Sequence, residues 1–424
     1  MSFHRGPEQP PVSHSGNINR FYVFRFFASF QLWMPIWVVY LIEERGLSLT
    51  QVTALDAPFW IWLILMEVPT GAIADRWGRK ISLTWGSFVY ALALLIFGLA
   101  GTFPLLLGSY LVWASAMTLF SGADAAFFYD SLKAAGREED YQKLWGRARA
   151  VQSGGTVLGL LIGAPLAAAT NLWFPIVLSA GLMAVSGLVS LTFREPPHAD
   201  EDDEQLGYVA GTVQAFKVAF GRAAVRTMLL LMAVVFGVGV SMQILAQPFL
   251  LSHEVSVSNF GWFLIPGQLL AIAASLTAYR FTSTFGVTRM VILMPLVVMT
   301  AAVGLGAWDS LGAFVFYPVS TAIFAMSFPL ISDYLNRRIP SSNRATILSI
   351  YQLLFSLVIA GMEPFLGALG DHQGLPFSYR LAALVLAVLA APLLALWLRA
   401  DRDDDPSGGE RQVLTSQTKA AEGG

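Results

Sequence analysis

The chain has 424 residues, of which 55% are hydrophobic and only 13% are charged, and its formal net charge is -2. A soluble domain of this length carries roughly a quarter charged residues. The composition therefore predicts a membrane protein and gives no basic surface for nucleic acid. The chain has no cysteine, which excludes disulfides, thiolate metal sites and thiol catalysis, and no cofactor is expected.

Twelve apolar runs each approach the length of about 20 residues that a helix needs to cross a bilayer. In chain order they are 18–42, 50–74, 81–100, 104–132, 141–168, 172–193, 227–251, 258–281, 288–308, 311–335, 344–370 and 377–398. The first run is too long for a signal peptide and has no small-residue cleavage site, so we expect it to be retained as the first span.

The distribution of basic residues predicts the orientation. If the N-terminus is inside, all but two of the 26 lysines and arginines, Arg45 and Arg380, lie on the cytoplasmic side. This agrees with the positive-inside rule. We therefore expect both termini in the cytoplasm and the chain in a bacterial inner (plasma) membrane.

The longest internal loop divides the spans six and six. The predicted organisation is an N-terminal tail (1–17), a six-helix bundle (18–193), a cytoplasmic linker (194–226), a second bundle (227–399) and a disordered tail (400–424). The acidic run 200–204 is typical of a solvated linker. After it, Val213, Phe216 and Phe220 recur at helical spacing, which predicts a short helix on the membrane surface.

The two halves also resemble each other. Residues 128–132 at the end of the fourth span match 331–335 at the end of the tenth, and Gly163-Ala164-Pro165 matches Met362-Glu363-Pro364. A third match joins the loop after the second span to the loop after the eighth. A pseudo-symmetric repeat of six spans is the expected result.

A short charged loop joins the second and third spans. Its notable residues are Gly71, Asp75, Arg76, Gly78, Arg79 and Lys80. In spacing and position it resembles motif A of the major facilitator superfamily of secondary transporters. The counterpart after the eighth span keeps only Arg280, Phe285, Gly286 and Arg289.

The resemblance implies an all-α membrane fold of twelve transmembrane helices in two pseudo-symmetric halves, and transport by alternating access. In this family motif A is a conformational latch. Applied to this chain, the resemblance implies that Asp75 faces the helix that begins near Arg344. It also implies that Arg79 pairs with Asp130 at the end of the fourth span. These residues are not expected to bind substrate.

The fifth span carries Gly155, Gly159 and Gly163, followed by Pro165. The pattern resembles motif C of the drug:proton antiporter branch of the family. It departs from that motif because Ala164 separates glycine from proline. Two interpretations stay open, antiport function and close packing of two helices on small residues.

Five ionisable residues fall inside spans, namely Arg25, Asp56, Glu67, Asp124 and Glu363. Each costs about 2.5–3.5 kcal/mol to insert, so each is expected to face a cavity or a partner. At about 1.5 Å per residue, Arg25, Glu67 and Asp124 come out at one level on three spans. They form either a proton-coupling site or a structural ion-paired cluster.

Asp56 and Glu363 lie near the outer ends of the second and eleventh spans, which face each other in this family. They could gate, titrate or simply be hydrated, and hydration is the expectation for Asp56. For proton coupling the candidates are Asp124 first, then Glu67, with Arg25 as their cation and Glu363 as an alternative. The five histidines fall in tails or loops, which leaves proton chemistry to carboxylates.

Side chains on the spans expected to line the cavity predict a pocket more apolar and aromatic than one for sugars. The candidates are Gln31, Trp33, Ser115, Gln243, Gln247, Tyr317 and Ser320. For each, helix packing is the alternative role. No nucleotide-binding loop and no H-E-x-x-H motif is present, so an enzyme is not expected.

The sequence thus predicts a monomeric secondary transporter in the lipid bilayer that exports an apolar or amphipathic small molecule in exchange for protons. One alternative is uptake of a metabolite or sugar by symport or uniport. An alternative from another class is a membrane receptor or lipid-handling protein that does not transport.

Overall fold

The structure is a computed structural model and describes residues 15–197, 217, 220–339 and 341–404. Within the helices, the side chains of 68, 75, 328, 341–343 and 345 are not described. Most of the predicted N-terminal tail, the acidic run 200–204, Val213 and Phe216 of the predicted surface helix, and the tail from 405 onward lie outside the described residues.

The described residues form helices joined by short turns. The long helices are α1 (Ser15–Ser29), α2 (Leu49–Trp77), α3 (Arg79–Leu99), α4 (Phe103–Phe120), α5 (Ala123–Ala134), α6 (Tyr141–Ala169), α7 (Trp173–Leu191), α8 (Ala223–Ser241), α9 (Ala246–Ser252), α10 (Phe260–Phe285), α11 (Val287–Ala307), α12 (Tyr317–Asn336), α13 (Ser341–Gln373) and α14 (Leu375–Asp403). In the described part of the chain, eleven helical segments are long and apolar enough to cross a membrane.

The first predicted span is the one missing from those eleven, because it is not a continuous helix. After α1 ends at Ser29, the chain runs through an irregular segment to one helical turn at Trp37–Val39 and a π-turn at Tyr40–Glu44. Pro35 lies in this segment and has no N–H to donate to a helix. The twelve-span prediction agrees with eleven helices plus this interrupted span.

Two other predicted spans are divided. The fourth breaks at Ser121 and Gly122 between α4 and α5, and the seventh changes to a 3-10 turn at Met242–Leu245 between α8 and α9. Irregular backbone at membrane depth is tolerated where protein surrounds it. Both breaks correct the expectation of continuous helices.

Three ends also differ from the prediction. Helix α1 begins at Ser15, inside the predicted tail, and α14 continues to Asp403. Helix α13 extends to Gln373, so His372 lies in its last turn and not in a loop.

The chain forms two compact units. Unit 1 contains residues 1–46, 58–202 and 255–265, and unit 2 contains 47–57, 203–254 and 266–424. The units follow the two halves of the sequence except at two places. The first part of α2 belongs with the C-terminal half, and the first part of α10 belongs with the N-terminal half.

Each unit has its own core. In unit 1, one end is filled by stacked aromatic rings, with Phe21, Phe127, Phe128 and Phe193 fully or almost fully buried. In unit 2, α8 is the central helix, packed between α13 and α14 and apolar on every side. A helix that is hydrophobic all round is expected in such a buried position.

Candidate functional site

Helices α2 and α3 meet at Gly78, the turn of the motif A loop. Gly78 has φ +95°, which a residue with a side chain rarely adopts. The carboxylate of Glu195 lies directly over it and accepts hydrogen bonds from the N–H groups of Arg79 and Lys80, both at 2.8 Å. An anion at a helix N-terminus is favoured by the helix dipole. Glu195 therefore fixes the start of α3.

Glu195 is held in place by the residues just before it. Asn17 of α1 donates to the Arg194 carbonyl at 2.7 Å and accepts from the Arg194 N–H at 3.0 Å. Arg20 donates to the Thr192 carbonyl at 2.7 Å. The segment that begins the predicted linker is thus tied to α1 before it reaches the motif A loop.

Arg79 forms an ion pair with Asp130 of α5, as the resemblance implies. The two side chains are 31% and 21% exposed, so the pair lies at the edge of unit 1. Arg76 and Gly71 are exposed, and a Cβ built at Gly71 would meet nothing within 4 Å among the described residues. The side chain of Asp75 and the first side chains of α13 lie outside what the structure describes.

A buried charged cluster joins three helices of unit 1. The Arg25 guanidinium of α1 pairs with the Asp124 carboxylate at 2.7 Å and donates to Gln152 of α6. It also lies 6.0 Å from the ring centres of both Phe21 and Trp145. The Arg25 and Asp124 side chains are 12% and 20% exposed. The cation is therefore flanked by aromatic rings and paired with one carboxylate and one amide, while its Nε makes no hydrogen bond within the described chain.

Asp124 occupies a different position from the one predicted. Because the fourth span breaks at Gly122, Asp124 lies in the first turn of α5 and not inside a long helix. Its second oxygen accepts the N–H of Ala125 at 2.7 Å. The break thus gives Asp124 a helix N-terminus as well as Arg25.

Glu67 does not join this cluster. It is half-buried on α2, and in the described residues Arg25 makes its ion pair with Asp124 alone. Among the described residues, therefore, Glu67 makes no ion pair with Arg25, and the expected cluster of one cation and two anions does not include it. The third member of the cluster is Gln152. It was not predicted, because an amide inside a helix has no distinctive spacing in the sequence.

Asp56 and Glu363 are the two acidic or basic side chains in the described chain that are fully buried. Asp56 is 7% exposed and Glu363 is 5% exposed, and both belong to unit 2. The expected hydration of Asp56 is therefore wrong.

An aromatic pocket lies inside unit 1. Its cavity volume is about 20 Å³, and it is lined by the first-span segment, α3 and α4, through Trp33, Trp37, Ala93, Leu94, Phe97, Ser109, Tyr110 and Trp113. The rings of Trp33 and Trp113 meet edge to face with centroids 5.3 Å apart, and Phe59 packs on Trp113 at 4.6 Å. The walls of the pocket therefore expose both the faces and the edges of aromatic rings.

The polar candidates in unit 1 form hydrogen bonds with tryptophans, one of which, Trp33, lines the pocket. Gln31 accepts the indole N–H of Trp33 at 2.6 Å and donates to the Ala28 carbonyl at 2.7 Å. Ser115 accepts the indole N–H of Trp62 at 2.9 Å. Both side chains therefore position tryptophans, and Trp62 was not among the predicted residues.

The polar candidates in unit 2 lie around α9 and α12. Gln247 and Ser320 are buried, and Ser320 donates to the Tyr317 carbonyl at 2.8 Å. The Tyr317 ring stacks on Phe314 with centroids 4.9 Å apart. The amide nitrogen of Gln243 is buried and makes no hydrogen bond within the described chain.

The glycines of α6 contact the interrupted first span. A Cβ built at Gly155 would lie 2.9 Å from the Phe26 carbonyl oxygen, and one at Gly159 would lie 2.7 Å from that of Gln31. At Gly163 a Cβ would overlap the Leu32 carbonyl. Pro165 follows on the exposed side of α6. The stripe therefore packs α6 directly against backbone.

Long apolar helices in two halves, joined by short turns, are the features of a polytopic membrane protein. A family model described as Major Facilitator Superfamily matches residues 21–265 and 229–420. The chain belongs to the major facilitator superfamily, a class of proteins that transport and are not enzymes.

A relative in Bacillus subtilis (strain 168), an uncharacterized MFS-type transporter named YxaM, is 23% identical over 336 residues, covering 75% of this chain and 80% of the relative. Among solved structures, the nucleoside transporter NupG has a TM-score of 0.69 at 15% identity, covering 90% of this chain and 98% of its own. A bacterial homolog of the human lysosomal transporter Spinster has a TM-score of 0.71 at 17% identity, covering 93% and 98%. At these identities the solved structures establish the fold alone.

Proposed function

We propose that the protein is a proton-coupled exporter of an apolar or amphipathic small molecule with a flat aromatic portion, working by alternating access. The observation that supports this substrate class is the aromatic lining that Trp33, Phe97, Tyr110 and Trp113 give to this small cavity, which has to widen to admit a substrate. Aromatic pairs contribute about 0.5–1.5 kcal/mol beyond the area that they bury, and they also attract cations. A sugar or small anion would find few polar partners there.

The coupling site in this proposal is the Arg25–Asp124 pair. Burial disfavours an ionised carboxylate, whereas a cation at 2.7 Å favours it. Opening of the cavity to water reduces the cost of burying the ionised carboxylate. Separation from Arg25 removes the cation that favours the ionised form. In this proposal the Asp124 carboxyl is the group that carries the coupled proton.

The orientation and direction are proposed on separate grounds. The loops around Gly78 and Arg137 are basic, which favours a cytoplasmic position for these loops and for both termini. The glycines and proline of α6 resemble the antiporter motif, which favours export. We also propose that a single chain is sufficient, since the polar residues invoked here lie within one copy.

The test is flux in proteoliposomes that contain the purified protein. A flat hydrophobic cation and a neutral aromatic compound would each be assayed with and without an imposed pH gradient. The proposal expects protein-dependent, gradient-driven accumulation of at least one of them. If accumulation is lost in Trp113→Ala but kept in Trp262→Ala, which lies on the exposed surface of α10, the pocket is the substrate-binding site. Accumulation of sugars but not of either aromatic compound would contradict the proposal.

A further inference from the structure

The first turn of α2 is held by a carboxylate from the other half of the sequence. Asp371, in the last turn of α13, accepts the Leu49 N–H at 3.0 Å and the Thr50 N–H at 2.7 Å. It also accepts the Thr50 hydroxyl at 2.6 Å. All of these residues belong to unit 2. Both carboxylate oxygens are therefore bonded to two successive residues at the start of one helix.

These bonds complete the cap of α2. The first turn of a helix leaves N–H groups that have no partner inside the helix. Ser48 and Gln51 form a reciprocal capping box, in which the Ser48 N–H donates to the Gln51 side chain at 3.0 Å and the Gln51 N–H donates to the Ser48 hydroxyl at 3.2 Å. The N–H groups of Leu49 and Thr50 lie between them, and Asp371 accepts both. The cap of α2 is thus complete only while α13 lies beside it.

The position of Asp371 is unfavourable for its own helix. Helix α13 ends at Gln373, and the C-terminal end of a helix dipole repels a negative charge. The N-terminal end of α2 attracts one. The same carboxylate is therefore stabilised while the two helix ends meet and destabilised when they separate.

Two glycines let the helices pack closely beside this carboxylate. A Cβ built at Gly367 would lie 2.9 Å from the Leu49 carbonyl oxygen and would overlap the Thr53 hydroxyl. At Gly370 a Cβ would lie 2.7 Å from the Leu49 side chain. Thr53 is fully buried, and Leu49 is 6% exposed. The two facing ends, from Leu49 to Thr53 and from Gly367 to Asp371, are called the Asp371 contact.

The sequence repeat shows that close packing at this level does not need a carboxylate. The offset that relates the two glycine turns, Gly78 and Gly286, also aligns Thr53 with Gly261. Gly261 packs on α6 of the other sequence half, where its Cβ would overlap the Leu160 carbonyl. Helix α6 has no acidic residue along its whole length. The carboxylate is therefore an addition, present at one of two equivalent helix contacts.

We propose that Asp371 is a conformational latch, which holds these ends of α2 and α13 together in one state of the transport cycle and is released in the other. The two helices come from different sequence halves, so a movement of the halves that separates these ends breaks the contact. On opening, Leu49 and Thr50 exchange the carboxylate for water, and Asp371 is left at the unfavourable end of its own helix dipole. The structure describes the latched state. Removing the carboxylate shifts the population toward the open state.

This proposal rests on the alternating access proposed above, but not on Asp124, the aromatic pocket or the direction of transport. Its test measures the contact itself and needs no substrate. If the proposed substrate class is wrong, flux fails and the labelling described below is unaffected. If the latch is wrong, labelling is the same in every variant, whatever the flux.

The absence of cysteine from the chain makes that measurement direct. Thr53→Cys places one thiol on the buried side of the Asp371 contact, and Thr102→Cys places one in the exposed loop between α3 and α4. The rate of labelling by a water-soluble maleimide is measured for the purified protein in nanodiscs, where both faces of the membrane are accessible. Labelling at position 53 should be slower than at position 102, because it occurs only while the contact is open. Equal rates would overturn the proposal.

The decisive variant removes the carboxylate. Asp371→Ala should speed labelling at position 53 by about fivefold, which is the usual effect of losing a capping side chain, and should leave position 102 unchanged. The matched control is Asp309→Asn, which removes a carboxylate that is 86% exposed in the loop after α11 and should leave both rates unchanged. An unchanged rate in Asp371→Ala, or an equal increase in Asp309→Asn, would contradict the latch.

A double-mutant cycle assigns the effect to the bonds at the start of α2. Thr50→Val removes the hydroxyl that donates to Asp371 and keeps the branched shape of the side chain. Alone, it should speed labelling at position 53 by less than Asp371→Ala does. In the Asp371→Ala background it should add nothing, because its partner is already absent. Full additivity of the two substitutions would show that they act separately and would exclude the latch.

A third thiol separates opening of the contact from local unfolding of α13. Ser378 of α14 is fully buried and donates to the Leu366 carbonyl of α13 at 3.1 Å. Ser378→Cys therefore reports a separation of α13 from α14, which belong to the same sequence half and should move together when the contact opens. Asp371→Ala should leave labelling at position 378 unchanged. If labelling rises equally at positions 53 and 378, Asp371 only stabilises the end of α13, and the proposal is wrong.

Discussion

The loops at Gly78 and Gly286 have the same backbone and different surroundings. Both glycines precede a new helix with positive φ, +95° and +77°. Glu195 lies over the first, whereas a Cβ at Gly286 would meet nothing within 4 Å. Asp130 pairs with Arg79 from the loop, but its equivalent Asp333 pairs with Arg337 on its own helix. Arg280 and Arg289 are exposed and form no ion pair among the described residues.

The difference separates what the fold needs from what the N-terminal half adds. A glycine suffices to turn the chain and start the next helix. The ion pair and the anion over the helix end are additions, found at one of two equivalent turns. Additions of this kind are expected to act on the equilibrium between conformations and not on the fold.

The largest effect is expected at the buried charges of the N-terminal half. Asp124→Asn should abolish accumulation driven by a pH gradient but preserve substrate exchange down its own gradient, because the amide cannot carry the proton. Flux in proteoliposomes measures both. The matched control is Asp401→Asn, which breaks the 2.7 Å pair with Arg338 in the C-terminal half and should leave coupling intact. Continued accumulation by the Asp124 variant would move the coupling role to Glu67 or Glu363.

A smaller effect is expected from the charges of the motif A loop. Arg79→Ala, or Asp75→Asn, should reduce transport by about fivefold at equal membrane levels, since a partly exposed ion pair contributes about 1 kcal/mol to one of two states. Arg289→Ala at the equivalent loop should transport normally. If all three variants transport alike, the comparison of the loops has no functional meaning.

The smallest effect on transport is expected from the two glycines themselves, whose substitution acts mainly on stability. Alanine at either position introduces backbone strain of about 1–3 kcal/mol. Gly78→Ala should lower the thermal unfolding temperature more than Gly286→Ala, because its Cβ would lie 2.8 Å from the Glu195 carboxyl carbon. Scanning fluorimetry of the purified variants measures the difference. In a Glu195→Ala background the two glycine substitutions should cost the same, and a persistent difference would exclude Glu195 as the cause.

The parts of this structure that follow from local sequence were predictable. Hydrophobic runs gave the spans because bilayer thickness fixes their length. The loop between the second and third spans identified the family and the Arg79–Asp130 pair, since charge and glycine spacing are both visible in the sequence.

The parts that depend on packing were not predictable. Asn17 lies far from Arg194 and Glu195 in sequence, and it bonds to the Arg194 backbone only when the chain is folded. Burial of Asp56 depends on packing in three dimensions, which depth along a single helix cannot report. The break at Gly122 was missed because a glycine inside a membrane helix is common. Asp124 consequently reached a helix N-terminus that no periodicity indicated.

The contact between the glycine stripe of α6 and the first span has a consequence for biogenesis. The backbone after Ser29 is not helical, and one of its N–H groups, that of Leu32, donates to Ser179 of α7 at 2.9 Å. Lipid cannot satisfy such groups. The partners on α6 and α7 are synthesised more than a hundred residues later. We therefore expect the first span to stay at the insertion machinery, or in contact with water, until the fifth and sixth spans arrive.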